Sequence, residues 1–292
     1  MPRDPVGIHI VGAGMKLVLS SVALALLAIS ANAETLSVAT YNIKHGQGMD
    51  DSVDLARQAK VLAALDVDVI ALQEVDMLNR RTGFADQTAQ MARHLSAETG
   101  HDWRHLDAPA IAFEGGHYGN GLLFNAGALE LVDFQNIALP ESDQGDGARS
   151  AAVAHLRTPA GKDVTVIGTH LTHKNAATTG DSTYQLDSVQ LIDTAAGTGH
   201  PAILAGDLNA SVDPALNHNP DTIARLVDLG WRIDSPTTGR TVPDEGFETV
   251  IDFILTKGAG SWTVSDARIV DDETTALASD HFPVVVTWEL AP

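Results

Sequence analysis

The sequence contains no cysteine, which excludes disulfide bonds, thiolate catalysis and cysteine-ligated metals together. Any metal must therefore be held by oxygen or imidazole groups. Basic residues are also few, because 18 Lys and Arg stand against 38 Asp and Glu, a formal net charge of −20. Tight, sequence-independent binding of a polyanion depends on many Lys and Arg contacts. The composition therefore disfavours nucleic acid as a partner, and is still compatible with small or locally presented phosphates.

Long apolar runs are absent except for one near the N-terminus, Leu17 to Ile29. At about 13 residues, this run is short for a transmembrane helix. Lys16 precedes it and Ala31-Asn32-Ala33 follows it, a pattern typical of a cleavable secretory signal peptide. We interpret residues 1–33 as this signal segment, with Met15 as the true start, and expect a periplasmic or secreted protein without a stable membrane anchor. An uncleaved anchor is the alternative.

Residues 34–292 contain no internal repeat, low-complexity tract or long linker, so we interpret them as one domain. Their number is ample for a full hydrophobic core. Helices are predicted at 52–65 with Ser52 as N-cap, at 86–99 ending before Gly100, at 183–195 and at 221–229. Apolar patterning predicts strands at 36–42, 67–75, 119–125, 150–156, 163–170, 202–206, 250–256, 263–269 and 283–289. Many strands with interspersed helices favour two packed sheets flanked by helices.

Polar side chains stand at the ends of five of these apolar strands. A carboxylate there is poorly placed for stability, because burial without a partner costs several kcal/mol, on the order of 2–7 for a neutral polar group and more for a charge. We therefore expect the five ends to converge on one site. The residues concerned are Asn42, Gln73-Glu74, His170, Asp207-Leu208-Asn209 and Asp280-His281.

The chemistry of these side chains favours a hard divalent cation. Asp207 and Asn209 are two residues apart, so in extended chain they lie on the same face. Together with the other carboxylates and amides they form the oxygen-rich set that Mg²⁺ or Mn²⁺ prefers. Zinc is a weaker candidate, because no histidine pair has helical ligand spacing. His170 and His281 are then left to bind phosphate or donate protons.

Six short motifs occur in order along the chain: Tyr41-Asn42, Leu72-Gln73-Glu74-Val75, Gly168-Thr169-His170-Leu171, Gly206-Asp207-Leu208-Asn209, Ile251-Asp252-Phe253-Ile254 and Ser279-Asp280-His281-Phe282-Pro283-Val284. They resemble the motifs of the endonuclease/exonuclease/phosphatase superfamily and cover about residues 36 to 289. The resemblance implies a four-layered α/β/β/α sandwich, in which two packed mixed β-sheets are flanked by helices. Further stretches, at 80–87 and 113–120, resemble uncharacterised bacterial metal-dependent hydrolases within it.

The resemblance also assigns metal ligands. It implies that Glu74 is the principal ligand of a Mg²⁺ or Mn²⁺ ion, with Asn42 beside it. It further implies that Asp280 ligates the metal or orients its neighbours. Such a cation would lie on the non-bridging oxygens of a phosphate undergoing in-line displacement.

The catalytic groups follow from the same resemblance. Asp207 would orient or deprotonate the attacking water, and Asn209 would contact the phosphate or align Asp207. His281 would stabilise the pentavalent phosphorus, held by Asp252, whose charge would raise the pKa of the imidazole. His170 would be the second imidazole in contact with the phosphate.

Two further residues, Asn120 and Arg149, are candidates for substrate binding. In the resembling family a residue near Arg149 often touches phosphate, and a surface ion pair is the alternative. Asn120 stands at a predicted strand start, where a turn-forming role is the equal alternative. Val250 replaces a basic residue common in the family, and the predicted helix 183–195 lacks the arginine common there. Both departures remove positive charge near the site and weaken the case for a long polyanionic substrate.

These observations predict an exported, monomeric phosphoesterase that depends on a divalent metal and acts on a phosphodiester or phosphomonoester. A secreted nuclease similar to DNase I is the main alternative, although the basic residues form no cluster. Sphingomyelinase-like activity stays open, because it would want exposed aromatic residues and only Phe84, Phe113 and Trp103 are loop candidates. A non-catalytic binding module on the same fold is the remaining alternative. It is disfavoured because degenerate relatives would be expected to lose Glu74, Asp207 or His281.

Overall fold

The computed structural model describes residues 1–2, 34–141, 147–174, 183–216, 219–243 and 249–291. The chain divides into two compact units, Met1–Asn32 and Ala33–Pro292, and the elements described below belong to the second. The predicted signal segment lies outside the described residues, apart from the first two. Within the described ranges, no helix is both long enough and apolar enough to cross a membrane.

Thirteen strands and five helices make up the described part of the second unit. The helices are Leu55–Ala63 (α1), Gln87–Thr99 (α2), Thr183–Ala196 (α3), Pro220–Asp228 (α4) and Glu273–Ala278 (α5). The strands are Glu34–Asn42 (β1), Val69–Asn79 (β2), Ala85–Asp86 (β3), Trp103–Phe113 (β4), Gly116–Asn125 (β5), Glu130–Leu139 (β6), Arg149–Arg157 (β7), Asp163–His170 (β8), Ala202–Asp207 (β9), Arg232–Ile233 (β10), Asp252–Lys257 (β11), Thr263–Ile269 (β12) and Val284–Leu290 (β13).

The strands form two mixed sheets with the same internal plan. The first has the order β12-β13-β1-β2-β5-β4, with β3 beside β2, and the second has the order β10-β11-β9-β8-β7-β6. Each sheet has one parallel pair at its centre, β1–β2 and β8–β9, and the neighbouring pairs are antiparallel. Parallel strands end at the same edge of a sheet, so the central pair of each sheet presents two strand ends side by side.

Three apolar clusters separate the layers. The first lies between the two sheets and takes side chains from both, including Val38 of β1 and Ala205 of β9. The second packs α1 and α2 on the outer face of the first sheet, and the third packs α3 and α4 on the outer face of the second sheet. Helix, sheet, sheet and helix thus form four layers, which confirms the α/β/β/α sandwich.

Every predicted helix and strand is present, and the elements that the sequence missed lie mainly at sheet edges. Strands β4 and β6 each stand at one edge of a sheet; the side chains of β6 are mostly exposed and those of β4 mostly half-buried, so neither strand shows a clear apolar alternation. The short elements β3, β10 and α5 were also not predicted. The first helix begins later than predicted, because the Asp54 side chain and not Ser52 accepts the bond from the Arg57 N–H.

The third cluster yields a stability prediction. Leu204 is 0% exposed, whereas Leu191 on α3 is 40% exposed. We expect Leu204→Ala to lower the free energy of unfolding by about 2–5 kcal/mol, because the substitution leaves a cavity. The matched variant Leu191→Ala should change it by about 0.5 kcal/mol or less. Urea denaturation measures both, and equal losses would contradict this packing.

Candidate active site

The site forms where inner-face positions of the two sheets reach the ends of the central strands. Side chains alternate between faces along a strand, so Asn42 shares the inner face of β1 with Val38. Asp207 shares the inner face of β9 with Ala205. The two polar residues therefore continue the apolar inner rows and meet across the gap between the sheets.

The carboxylate of Asp207 is the centre of this group. Its Oδ2 lies 3.1 Å from the amide nitrogen of Asn42, 3.4 Å from Nε2 of His170 and 3.7 Å from Nε2 of His281. Its Oδ1 accepts a hydrogen bond from the backbone N–H of Asn209 at 3.0 Å. Only 2% of Asp207 is exposed, and burial is the main cause that raises its pKa to about 7. Asp207 can therefore take up a proton close to neutral pH.

His281 is held by Asp252, as the resemblance implies. Nδ1 of His281 lies 2.9 Å from Oδ2 of Asp252, the first residue of β11. Burial by itself would lower the pKa of His281. The carboxylates of Asp252 and Asp207 outweigh it and raise this pKa to about 10. His281 is therefore cationic at neutral pH, with Nε2 turned toward Asp207.

His170, in contrast, is neutral. Its Nε2 lies 3.0 Å from the side-chain amide nitrogen of Asn209, which also donates to the backbone carbonyl of Leu171 at 3.0 Å. Burial, with the positive charges of Arg149 and His281, holds the pKa of His170 well below its usual range. A neutral, buried His170 orients Asn209 in this structure. Its contact with a phosphate stays a prediction.

Glu74 reaches the group through an irregularity in β2. The register of β2 against β5 shifts between Leu72 and Val75, and Glu74 has a φ of 58°. Bulges of this kind re-aim side chains and are common beside active sites. Oε1 of Glu74 accepts a hydrogen bond from the Asn42 amide nitrogen at 3.2 Å. The Asn42 amide therefore bridges two carboxylates, because the same nitrogen also donates to Asp207.

Asp280 lies apart from this arrangement. Its Oδ2 pairs with the ammonium group of Lys44 at 3.0 Å, and both side chains are about one third exposed. The backbone N–H of Lys44 donates to Oδ1 of Asn42 at 3.0 Å, so the oxygen of that amide is already engaged. The metal-binding roles of Asp280 and Asn42 stay predictions.

The two candidates for substrate binding are both buried. Asn120 lies inside β5, where its amide nitrogen donates to the Ser150 carbonyl at 2.8 Å, so the turn-forming alternative is wrong. Arg149 begins β7 and hydrogen-bonds the hydroxyl of Tyr118. Because Arg149 is buried, the alternative of a surface ion pair is also wrong.

A charged and aromatic wall of Arg81, Phe113 and Tyr118 lies next to Glu74. These residues fall in the stretches 80–87 and 113–120, but their contacts with one another and with Asp76 were not predicted from the sequence. Arg81 donates from Nε and from a terminal nitrogen to the two oxygens of buried Asp76, at 2.7 Å each. Its guanidinium carbon lies 4.8 Å from the ring centroid of Phe113 and 5.4 Å from that of Tyr118. Burial raises the pKa of Tyr118 and the nearby charge of Glu74 adds to this effect. The available signal was an acid two residues after Glu74 in an apolar strand.

The described part of the site carries more negative than positive charge, which suits a divalent cation. Atoms of Asp207, Asp252 and His281 lie within 4.8 Å of one another, and the two carboxylates supply the oxygen donors of this group, since His281 is cationic. Oδ1 of Asp252 is buried and has no hydrogen-bond partner among the described residues. Glu74 adds a third carboxylate beside this group. The donor set is rich in oxygen, as Mg²⁺ and Mn²⁺ require, so the residues present fit such an ion.

The chain belongs to the endonuclease/exonuclease/phosphatase family, whose sequence model matches residues 39–281. Membership of this family supports a hydrolase that acts on phosphate esters. The match spans every residue of the site described above. No curated protein matches this chain significantly.

Solved structures share the fold at low identity. An endonuclease/exonuclease/phosphatase from Beutenbergia cavernae is 23% identical, with a TM-score of 0.71 over 88% of this chain and 72% of that chain. A mannosyl-6-phosphatase from Bacteroides thetaiotaomicron is 18% identical, with a TM-score of 0.58 over 87% and 99%. TDP2 from D. rerio, complexed with a single-strand DNA product, is 15% identical, with a TM-score of 0.60 over 87% and 98%.

The contact between His281 and Asp252 gives a prediction on pH dependence. Asp252→Asn removes the charge that raises the pKa of His281 and leaves the burial that lowers it. The pKa of His281 should therefore fall by about 1–3 units, which an NMR titration of the imidazole measures directly. The alkaline limb of the rate profile should move to lower pH, and the rate should fall roughly 10²-fold or more.

A double variant shows whether the two residues act together. Asp252→Asn combined with His281→Ala should cost little more than His281→Ala alone, since residues acting as a unit are not additive. Asp102→Asn, at an exposed surface acid, serves as the control and should leave the titration unchanged. Losses that multiply in the double variant would show that Asp252 acts separately, as a metal ligand or a structural acid.

Proposed function

We propose that this protein is an exported phosphoesterase that hydrolyses a phosphodiester or phosphomonoester with the help of Mg²⁺ or Mn²⁺. The observation that carries the proposal is the buried carboxylate of Asp207, which lies between a cationic and a neutral imidazole. In-line attack on phosphorus needs a base, a fixed positive charge and carboxylates that can hold a metal ion. All three kinds of group lie together at the ends of the central strands. Family membership supports the same reaction class.

In the proposed reaction, Asp207 acts on the attacking water. Its pKa of about 7 lets the carboxylate accept a proton from water near neutral pH and release it again. The backbone N–H of Asn209 and the amide of Asn42 hold the two oxygens in position.

His281 supplies a positive charge that faces the bound phosphate. The bond from Nδ1 to Asp252 fixes the ring, so Nε2 carries the proton that faces the reaction centre. In a buried site, a charge placed where negative charge develops stabilises the transition state strongly. His170 and Asn209 line the site at the ends of β8 and β9.

The divalent ion would be held by Glu74 and Asn42, with the carboxylate of Asp280 or Asp207 as a further ligand. When bound, it would neutralise the non-bridging phosphate oxygens and polarise the phosphorus. The amide of Asn42 would turn over to present its oxygen, since its nitrogen faces both carboxylates in this structure.

A nuclease is the second candidate, and the described surface gives it little support. TDP2 shares the fold with a single-strand DNA product bound, but this chain has a net charge of −20 and its site wall pairs Arg81 with Asp76. A panel of single-stranded and double-stranded DNA, sphingomyelin, phosphoinositides and sugar phosphates separates the candidates. We expect turnover of a small phosphate ester, and preferred cleavage of DNA would favour the nuclease.

Glu74→Gln is the decisive variant for metal dependence. It exchanges a charged ligand for a neutral isostere, so turnover of bis-p-nitrophenyl phosphate should fall by roughly 10²-fold or more. The increase in Tm that Mg²⁺ produces in the wild type should also disappear, because a ligand stabilises only the state that binds it. EDTA should abolish wild-type turnover.

The control for this experiment is Glu98→Gln, at an exposed position near the end of α2. It should retain both activity and the Mg²⁺-dependent shift of Tm. If Glu74→Gln also retained them, Glu74 would not be a metal ligand. If neither wild type nor variant hydrolysed any ester with any divalent metal, the chain would be a binding module.

Export is tested by the N-terminal sequence of the protein recovered outside the cytoplasm. We expect it to begin at Glu34 or within about two residues, because signal peptidase cleaves after a small-x-small sequence such as Ala31-Asn32-Ala33. A mature protein that retains Leu17 to Ile29 would be anchored in the membrane instead.

A further inference from the structure

Three buried glutamines lie directly behind the loops that carry the site. Gln58 belongs to α1, Gln87 to α2 and Gln185 to α3, and each stands in the first half of its helix. Their exposed fractions are 0%, 0% and 2%. A buried amide is costly unless it is hydrogen-bonded, so the partners of these side chains identify what they do.

Gln58 ties the strand end of Asn42 to the loop of His281. Its amide nitrogen donates to the carbonyl of Ile43 at 2.9 Å and to the carbonyl of Ala278 at 2.8 Å. Ile43 follows Asn42 directly, and Ala278 ends α5 three residues before His281. One side chain thus fixes the separation of two loops that are about 235 residues apart in the chain.

Gln87 ties the loop after Asn42 to the bulge of Glu74. Its amide nitrogen donates to the carbonyl of His45 at 2.6 Å, and its Oε1 accepts the backbone N–H of Asp76 at 2.9 Å. The loop and the bulge each contain a left-handed residue, His45 with a φ of 44° and Glu74 with a φ of 58°. Such conformations persist only where the surroundings hold them.

Gln185 ties the end of β8 to the end of β9. Its amide nitrogen donates to the carbonyl of Thr172 at 2.6 Å and to those of Leu208 and Asn209 at 3.3 Å each. Its Oε1 accepts from the hydroxyl of Thr222 on α4. The carbonyls belong to the loops that follow His170 and Asp207.

We propose that Gln58, Gln87 and Gln185 are positioning residues, each of which sets the distance between two loops of the active site. An apolar side chain of the same size would fill the space but would leave the loop carbonyls without these donors. The proposal rests on the proposed function, since it divides the work of that site. Gln87 positions the metal-binding side of the site, because it holds the segment that carries Glu74. Gln185 positions the side that acts on water and phosphate, because it holds the loop that carries Asp207 and Asn209.

A positioning role predicts that different variants change different quantities, whereas a merely structural role predicts that all of them lose stability alike. Gln87→Met should raise the Mg²⁺ concentration at the midpoint of the Tm shift about 10- to 100-fold, as outer partners of metal ligands do. Gln185→Met should leave that midpoint within about twofold and lower kcat about 10- to 100-fold at saturating Mg²⁺. Gln58 contacts the loops of both sides, so Gln58→Met should change both the Mg²⁺ midpoint and kcat.

The matched control is Gln190→Met in α3, an exposed glutamine that should alter neither quantity. Gln87→Glu is the second variant at this position, because it keeps the acceptor for the Asp76 N–H. Its affinity for Mg²⁺ should lie between those of Gln87→Met and the wild type. It should still be measurably below that of the wild type if Gln87→Met does not fold. Equal losses of kcat and metal affinity in the Gln87 and Gln185 variants would overturn the proposal.

Amide hydrogen exchange tests the inference without any activity. The Asp76 amide should exchange at least about 10-fold faster in Gln87→Met than in Gln190→Met, because its acceptor is removed. An unchanged rate would overturn the role of Gln87. If the wild type hydrolysed no ester and bound no Mg²⁺, the proposed function would fail, and this rate would still decide whether Gln87 holds the bulge.

Discussion

The arrangement of the whole site depends on one buried carboxylate, that of Asp207. It lies where the inner faces of the two sheets meet, and its partners come from both sheets. Asn42 approaches from β1, His170 from β8 and His281 from the loop before β13. A carboxylate in this position without those partners would be strongly destabilising, so the packing of the two sheets and the chemistry of the site are the same constraint.

The two histidines show how position determines charge. Both are buried beside Asp207, yet the pKa of His281 is raised to about 10 and that of His170 is lowered. The difference comes from Asp252, which contacts His281 at 2.9 Å, whereas His170 faces the amide of Asn209. Two environments therefore give one cationic and one neutral imidazole within reach of the same carboxylate.

The sequence predicts the fold well because the buried strands show their burial as apolar runs that end in polar residues. The same feature predicts that Glu74, Asp207 and His281 come together. The stretches that carry Arg81, Phe113 and Tyr118 stand out in the sequence, but the stacking of Arg81 on the two rings does not. It joins the short helix Arg80–Thr82 to β4 and β5, and no periodic pattern shows that contact. The charge state of His170 also depends on which neighbours the fold supplies, and no spacing in the sequence shows this.

The buried glutamines extend this reasoning to the helices. A helix that packs on a sheet needs only an apolar stripe, so a fully buried amide is unnecessary for the packing itself. Gln58 and Gln87 nevertheless stand in the stripe that covers the first sheet, where the strand ends turn into loops. Loops lack the ladder bonds that fix strands, so their carbonyls need donors from elsewhere. The outer layers of the sandwich therefore supply both apolar cover and hydrogen bonds to the loops of the candidate site.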